Sequence, residues 1–177
     1  MSDGKNYYLE HPLQLRCGLS IFPSHDQAID QILSDLLQKA LARYILLTDV
    51  TGQFISAKGE RRDVNPVALG ALAAGDLAAS REIARMSGEY QEHQMIIREG
   101  SRYHTIIYEV GSYLLLLVQV ASDVPLGWVR VLMKEYAEKI NRIILTVPEK
   151  VEEILKEFSN SDIQTLVDDM LDNLWKE

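Results

Sequence analysis

Four histidines and one cysteine are the side chains of this chain best suited to acid–base, nucleophilic or metal chemistry. They are His11, His25, His93, His104 and Cys17. The histidines do not have the spacing of metal ligands, and one cysteine provides neither an intrachain disulfide nor a thiolate cluster. We therefore predict no metal site, and we interpret the histidines as ordinary surface or boundary residues and Cys17 as a buried or incidental thiol.

The sequence also lacks the motifs of several large enzyme classes. It contains no G-x-x-x-x-G-K-[ST] phosphate loop, no G-x-S-x-G nucleophile turn and no H-E-x-x-H zinc motif. The adjacent acids Asp168 and Asp169 fall in a charged helical pattern, which is typical of a solvated face. We predict that the protein is not an enzyme and binds no cofactor.

Composition excludes further functions. The 177 residues are 47% hydrophobic, with 26 acidic and 18 basic residues and a net charge of −8. Nucleic-acid binding needs a basic patch that displaces counterions from phosphate, so this balance argues against it. No apolar run approaches the roughly 20 residues of a membrane span, and the N-terminus lacks a secretory pattern. We expect a soluble cytoplasmic protein without membrane insertion.

The negative charge is concentrated at one end of the chain. Residues 149–177 hold nine acids and three bases. This asymmetry indicates an acidic C-terminal extension over residues 148–177, after a main domain over residues 23–147. Residues 1–22 form an N-terminal arm, in which Leu13 to Phe22 is either an extra strand or an extended segment.

The main domain alternates between helical and strand periods. Ser24 and Gln27 fit a capping box at the start of the first helix. The later elements are a hairpin of Tyr44–Asp49 and Gln53–Lys58, a helix from Pro66 to about Met86, strands Tyr90–Arg98, Arg102–Glu109 and Tyr113–Val120, and a helix from Pro125 to Pro148. Thr51-Gly52 is the predicted tight turn of the hairpin, and Asn65 and Gly88 are the predicted cap and stop of the second helix. The four consecutive leucines of the last strand predict burial on both faces. The order α-β-β-α-β-β-β-α predicts an α/β (α+β) fold, with helices on both faces of a five-stranded, mostly antiparallel sheet.

The second helix has two apolar sides at 100° per residue. The predicted sheet side carries Leu69, Leu72, Ala73, Asp76, Ala79 and Ile83. The predicted outer side carries Val67, Gly70, Ala71, Ala74 and Ala78, followed by Arg81, Glu82 and Arg85. A surface helix normally shows charged residues to water, and Gly70 and Gly75 each cost roughly 1 kcal/mol relative to Ala. The pattern favours a contact surface over the alternative, a stable Ala-rich helix with a solvated outer face.

The succession of segments carries a family resemblance. LGALAAGDLAAS is followed by EYQEHQMIIREG, YHTIIYEVGSYLLLLVQV and DVPLGWVRVLMK. Over residues 24–145 this succession resembles the Roadblock/dynein light chain domain family, and within it the bacterial MglB-like small-GTPase regulators. No single motif is diagnostic, because the specificity lies in the order of the segments.

The resemblance implies a homodimer that docks one Ras-like small GTPase (MglA-like) and modulates its GTP hydrolysis or nucleotide exchange, in cell polarity or motility. Paired second helices would form the docking platform, and paired third strands would join the sheets. The implied GTPase-binding residues are Val67, Gly70, Ala71, Ala74, Gly75, Ala78 and Arg81. The implied dimer residues are Tyr90, Glu92, Gln94 and Ile96. The family precedent favours salt bridging by Arg81 or Arg85 over an inserted catalytic arginine.

A last helix is predicted in the acidic extension, with Ser161 and Gln164 as its capping box. Its apolar stripe consists of Ile163, Leu166, Val167, Met170, Leu171 and Leu174. Thr165, Asp168, Asp169, Asp172 and Lys176 lie opposite. The helix either folds back on its own domain or binds a partner in a groove, and the resemblance implies that it can reach the GTPase away from the platform.

Two other functions remain open. A small-molecule sensor domain of the PAS or GAF type also mixes five strands with helices, and it requires a cavity between sheet and helix. A purely structural scaffold subunit would bind partners without changing GTP turnover.

Overall fold

The computed structural model describes residues 12–60, 64–88 and 95–160. The elements are β1 (Leu13–Gln14), β2 (Ser20–Ile21), α1 (Pro23–Lys39), β3 (Ala42–Asp49), β4 (Phe54–Gly59), α2 (Pro66–Ser87), β5 (Met95–Arg98), β6 (Tyr103–Val110), β7 (Leu114–Ala121), α3 (Leu126–Ile144), a 3₁₀ turn (Pro148–Lys150) and α4 (Val151–Asn160). From α1 to α3 this is the predicted order, and the predicted fold class is confirmed.

The main sheet has the spatial order β4-β3-β7-β6-β5, and every neighbouring pair is antiparallel. The central strand β7 contains four consecutive leucines, all of them buried. Leu114 and Leu116 belong to the core on one face, whereas Leu115 and Leu117 belong to the core on the other. Because side chains alternate across a strand, an uninterrupted apolar run indicates burial on both faces.

The first face of the sheet is covered by α1 and α3. Ile29 and Leu33 of α1 and Ile140 of α3 are fully buried there. The indole Nε1 of Trp128 donates to the carbonyl of Lys39 at 3.2 Å, and the hydroxyl of Tyr136 donates to the carboxylate of Asp35. These contacts fix the C-terminal part of α1 to the N-terminal half of α3.

The extension contributes α4 to the same face. Val151 is buried, and Ile154, Leu155 and Phe158 pack at the margin of the first core. The ring of Phe158 lies 5.2 Å from the guanidinium carbon of Arg142 and 5.7 Å from the ammonium of Lys139. Residues 151–158 therefore pack on the main domain.

Helix α1 begins at a different residue from the predicted one. The helix begins at Pro23, so the N-cap is Phe22 and not Ser24. The imidazole Nδ1 of His25 accepts from the backbone N–H of Phe22 at 3.4 Å, and Nε2 lies 2.9 Å from the carbonyl of Thr146. His25 is only 2% exposed, so its interpretation as a surface or boundary residue is wrong. His104 is similarly buried, whereas His11 and His93 lie outside the described residues.

The described part of the N-terminal arm is a small hairpin attached to the main sheet. β1 pairs with β2, and Asp49 at the end of β3 is completely buried beside them. The Asp49 carboxylate accepts from the backbone N–H groups of Cys17, Thr51 and Gln53 at 2.8–3.3 Å. One carboxylate thus holds both the β3–β4 turn and the β1–β2 hairpin. In the described part of the chain, no helix is long and apolar enough to cross a membrane.

Candidate functional site

Helix α2 has defined ends. The side chain of Asn65 accepts from the backbone N–H groups of Val67 and Ala68, both at 3.1 Å, and Pro66 occupies the first helical position. Gly88 adopts the left-handed conformation, with φ of 77°, and stops the helix. These caps agree with the predicted ones.

The inner side of α2 packs backbone against backbone on the β3–β4 turn. A Cβ atom on Gly70 would lie 2.8 Å from Cγ2 of Thr48 and 2.9 Å from the carbonyl oxygen of Gly52. A Cβ atom on Gly52 would lie 2.7 Å from Cα of Ala71. Both glycines are therefore required by the chain's own packing.

The structure corrects the predicted rotation of α2. Gly70 and Ala74, predicted on the outer side, are buried against the sheet, together with Ala73 and Leu77. Leu72, Ala79 and Ile83, predicted on the sheet side, are exposed. The helix is turned by about a third of a revolution, because Gly70 must meet the turn and Leu77 fills the sheet core. Gly52 opposite Gly70 is the sequence signal of this contact.

The outer side of α2 is apolar and exposed. Val67, Leu72, Ile83 and Met86 are 62%, 72%, 67% and 81% exposed. The exposed small residues Ala71, Gly75 and Ala78 lie between these large side chains. The charged residues on this side, Glu82 and Arg85, pair with each other at 2.7 Å. Since monomeric proteins rarely expose a large contiguous apolar patch, this surface has the character of an interface.

An ion pair with β5 shows how this surface is oriented. The guanidinium of Arg98 donates to both carboxylate oxygens of Asp76, at 2.7 and 3.1 Å, so the Asp76 side of α2 faces the β5 edge. Asp76 therefore lies at the margin of the packed side, which is the position that the corrected rotation of α2 gives it. The exposed residues nearest this side form what we name the edge stripe, Leu72, Ala79, Ile83 and Met86. Those farther from β5 form the small-residue stripe, Val67, Ala71, Gly75 and Ala78.

Gly75 differs from Gly70. A Cβ atom on Gly75 would meet nothing within 4 Å, so packing within the chain does not require this glycine. In a helix interior, glycine costs roughly 1 kcal/mol relative to alanine. A glycine retained at this cost on an apolar exposed stripe favours close approach by another backbone.

Arg81 lies elsewhere than predicted. Its guanidinium Nε donates to Oε1 of Glu109 on β6 at 2.7 Å, and the Glu109 side chain is only 5% exposed. Arg81 therefore neutralises a buried carboxylate of its own sheet. This position does not suit a residue of the outer contact surface.

The predicted dimer strand is described only in part. β5 is an edge strand of the described sheet, and Ile96 packs at the margin of the core beneath α2. Tyr90, Glu92 and Gln94 lie outside the described residues. So do all residues of the predicted second partner site, from Ile163 to Leu174.

The remaining chemistry of the described residues is limited. Within them, no three His, Cys, Asp or Glu side chains converge on a possible metal position. Burial raises the pKa of the Cys17 thiol, which keeps it protonated and poorly nucleophilic near neutral pH. An open depression of about 510 Å³ is lined by Leu37, Leu41, Arg43 and Tyr103, beyond the end of α1. It does not lie between α2 and the sheet.

Comparisons with known proteins agree with this geometry. Residues 28–120, just over half of the chain, match the family model described as Roadblock/LC7 domain. No curated protein matches the chain.

Three solved structures give a more detailed likeness. Myxococcus xanthus MglB is 29% identical, with a TM-score of 0.63, and the match covers 67% of this chain and 88% of that one. The gliding protein MglB from Thermus thermophilus is 26% identical, with a TM-score of 0.65, covering 73% and 98%. An MglB with a tetrameric arrangement is 28% identical, with a TM-score of 0.61, covering 69% and 90%.

Proposed function

Because the chain belongs to the Roadblock/LC7 family, we propose that it is a homodimeric, non-catalytic, cytoplasmic regulator that docks a Ras-like small GTPase. The observation that carries this proposal is the exposed apolar side of α2. The family resemblance implies the class of partner, an MglA-like GTPase in its GTP state, and a role in cell polarity or motility, and the likeness to a gliding protein supports the motility role.

The edge stripe is the proposed contact with a second copy. Leu72, Ala79 and Met86 recur every seven residues, which is the spacing of helices packed side by side. The adjacent strand β5 has a free edge in the described sheet, and an unpaired edge favours pairing with another strand. Pairing of β5, which contains Ile96, with β5 of a second copy would bring the two copies of α2 together. The predicted residues Tyr90, Glu92 and Gln94 extend this proposed interface.

The small-residue stripe is the proposed contact with the GTPase. Val67, Ala71, Gly75 and Ala78 lie on the part of the exposed side that is farther from β5, so the second copy leaves them accessible. Small side chains let a partner's backbone approach closely, and two copies of the stripe would form one platform. Gly70, Ala74 and Arg81 are not part of this proposal, since they contact their own sheet.

The two stripes can be tested separately. Replacing Ala71 and Ala78 with Arg adds two long charged side chains to the platform and should abolish binding of the GTP-loaded GTPase in titration calorimetry. The mass measured by light scattering should remain that of a dimer. Replacing Leu72 and Ile83 with Asp should instead yield monomers. Retained GTPase binding by the Ala71→Arg/Ala78→Arg variant would refute the platform assignment.

A rate measurement separates regulation from scaffolding. GTP hydrolysis and nucleotide release by the partner GTPase should both be followed with and without this protein. A change in either rate supports regulation, whereas binding without any change supports the scaffold alternative. An inserted arginine is worth roughly 10³–10⁵ in rate. Because Arg85 lies at the exposed end of α2, Arg85→Ala tests that contribution, and we expect it to have little effect.

A further inference from the structure

Three connecting segments meet at one end of the main sheet. Between the β3–β4 and β6–β7 turns, the backbone N–H of Val50 donates to the carbonyl oxygen of Tyr113 at 2.9 Å. The β1–β2 hairpin joins them, because the backbone N–H of Arg16 donates to Oε1 of Gln53 at 2.9 Å. We use the name loop end for one exposed residue of each segment, Arg16, Thr51 and Tyr113.

The loop end borders the small-residue stripe of α2. In the β3–β4 turn, Gly52 lies so close to the helix that a Cβ atom on it would be 2.7 Å from Cα of Ala71, a residue of the stripe. Further along α2, Arg81 bonds to Glu109 near the end of β6, and Ala78 of the stripe precedes Arg81 by one turn. The stripe therefore passes first the β3–β4 turn and then the β6–β7 turn along one flank of the helix.

Tyr113 lies on the α2 side of the sheet and is 43% exposed. Along β7, Leu115 belongs to the core beneath α2, and Leu114 belongs to the core of the other face. Side chains alternate along a strand, and the hydrogen bond from Val50 continues the ladder to Tyr113, so its ring falls on the side of Leu115. A half-exposed aromatic ring beside small residues suits a protein contact, because tyrosine is enriched among the residues that anchor interfaces.

Arg16 adds a positive charge to the loop end. In the described part of the chain, its guanidinium forms no ion pair. The backbone here is fixed, since Gln53 accepts the N–H of Arg16 and the buried carboxylate of Asp49 accepts the N–H of Cys17 at 3.3 Å. A fixed cation on a chain of net charge −8 complements a carboxylate on a partner that covers the adjacent stripe.

We propose that the GTPase docked on the small-residue stripe extends over the loop end, where it packs against Tyr113 and places a carboxylate beside Arg16. This inference rests on the proposed function, because the adjacent stripe supplies the partner. Pairing of two copies through β5 leaves the loop end open, since β5 is the last strand of the sheet and the β3–β4 turn lies toward the opposite edge. The contact is thus made by one flank of α2 together with the turns that support it.

Oxidative footprinting tests this contact on the full-length natural protein. Hydroxyl radicals modify exposed side chains, and mass spectrometry of the digested protein gives the rate at each position. The probe is the MglA-like GTPase of the same organism, loaded with a non-hydrolysable GTP analogue, and it should slow the oxidation of Tyr113. Leu41 is the internal control with an unchanged rate, since it is 70% exposed and precedes β3 at the other end of the sheet. Unchanged oxidation of Tyr113 at saturating GTPase overturns the inference.

Substitutions at the loop end measure the size of its contribution. Tyr113→Ala should raise the Kd for the GTPase at least about tenfold in titration calorimetry, which is the effect of truncating an aromatic anchor of an interface. Tyr113→Phe retains the ring and should bind as the natural chain does, and so should the control Leu41→Ala. Arg16→Glu should also weaken binding, and its difference from the natural chain should shrink as salt is added. Thermal unfolding checks that these variants are folded, and footprinting of the natural chain decides where one is not.

The outcomes separate this inference from the proposed function. If Ala71→Arg/Ala78→Arg abolishes binding while Tyr113→Ala and Arg16→Glu bind as the natural chain does, the loop end lies outside the contact and the stripe assignment stands. If the natural chain does not bind the GTPase at all, both are wrong. Protection of Tyr113 that rises with the protein's own concentration, without GTPase, would assign the loop end to a further copy of this chain and would also overturn the inference.

Discussion

The two faces of the sheet are packed in opposite ways. On the first face, α1, α3 and α4 bury large aliphatic side chains such as Leu33 and Ile140 completely. On the second face, α2 buries mainly glycine and alanine with Leu77, and it exposes more large apolar side chains than it buries. The first face therefore holds most of the apolar burial of the folded chain. The second face is packed for close approach on its inner side and is left uncovered on its outer side.

The largest expected effect compares one leucine from each face. Leu33→Ala should lower the free energy of unfolding by about 3–4 kcal/mol, because it removes buried methyl groups and leaves a cavity. Leu72→Ala, on the edge stripe, should change the unfolding of the monomer by less than about 0.5 kcal/mol. Urea denaturation at low protein concentration measures both.

Repeating the unfolding measurement of both variants at several protein concentrations tests whether a second copy covers the edge stripe. If a second copy covers the edge stripe, the cost of Leu72→Ala should grow as concentration rises, because association stabilises the folded state by mass action. The cost of Leu33→Ala should stay nearly constant. Equal and concentration-independent costs for the two variants would show that the faces do not differ as described.

The two glycines of α2 provide the second test. Gly70→Ala should cost about 2–3 kcal/mol, since the new methyl group would overlap Thr48 and the backbone of Gly52. Gly75→Ala meets nothing and should instead stabilise the isolated chain by up to about 1 kcal/mol through helix propensity. Thermal unfolding of the two variants gives the signs directly. A stabilising Gly70→Ala would contradict the close contact between α2 and the β3–β4 turn.

Replacing the two arginines that join α2 to the sheet should give a smaller difference in the free energy of unfolding. Arg81→Met leaves the Glu109 carboxylate buried without this partner and should cost about 2 kcal/mol. Arg98→Met breaks an ion pair in which the arginine side chain is 63% exposed, so the expected loss of stability is smaller than that of Arg81→Met. Urea denaturation measures both losses. Adding Glu109→Gln to Arg81→Met should recover part of its loss, and no recovery would show that the loss arises elsewhere.

Much of this fold was predictable because local chemistry fixes it. Thr51-Gly52 forms the predicted tight turn, Gly88 provides the predicted helix stop, and the four leucines of β7 indicated burial on both faces. The predicted family resemblance is confirmed by the match over residues 28–120. Local signals failed at one helix start and at one contact between distant segments. Ser24 resembles an N-cap, but Pro23 starts α1 earlier, and nothing near Asp49 in sequence indicates that its carboxylate holds Cys17.

The contact surface was predicted less well than the fold. In a helix of alanine and glycine, the side chains on opposite sides differ little in size and hydrophobicity. The rotation of such a helix therefore depends on contacts with residues that are distant in sequence. Gly52 and Thr48 on the hairpin select Gly70 as the inner residue, and the Asp76–Arg98 pair fixes the side toward β5. The sequence-based assignment therefore rotated the two sides of α2 by about a third of a turn, and the role of its exposed side as a contact surface stays a prediction.

The smallest expected effect is a pH dependence confined to the first face. Burial lowers the pKa of His25, and the hydrogen bond to the carbonyl of Thr146 opposes this only in part. Because the folded protein resists protonation of His25 while the unfolded chain accepts a proton near pH 6.5, the unfolding free energy should fall as pH decreases below about 6.5. Above that pH, both states are neutral at His25 and its contribution is constant. Urea denaturation between about pH 5.5 and 8 should therefore show that the free energy of unfolding falls more steeply toward acid pH in the natural chain than in His25→Gln. The glutamine side chain retains a hydrogen-bond donor for Thr146 but does not titrate. Parallel pH curves for the two proteins would mean that His25 does not couple the start of α1 to the end of α3 as its hydrogen bonds indicate.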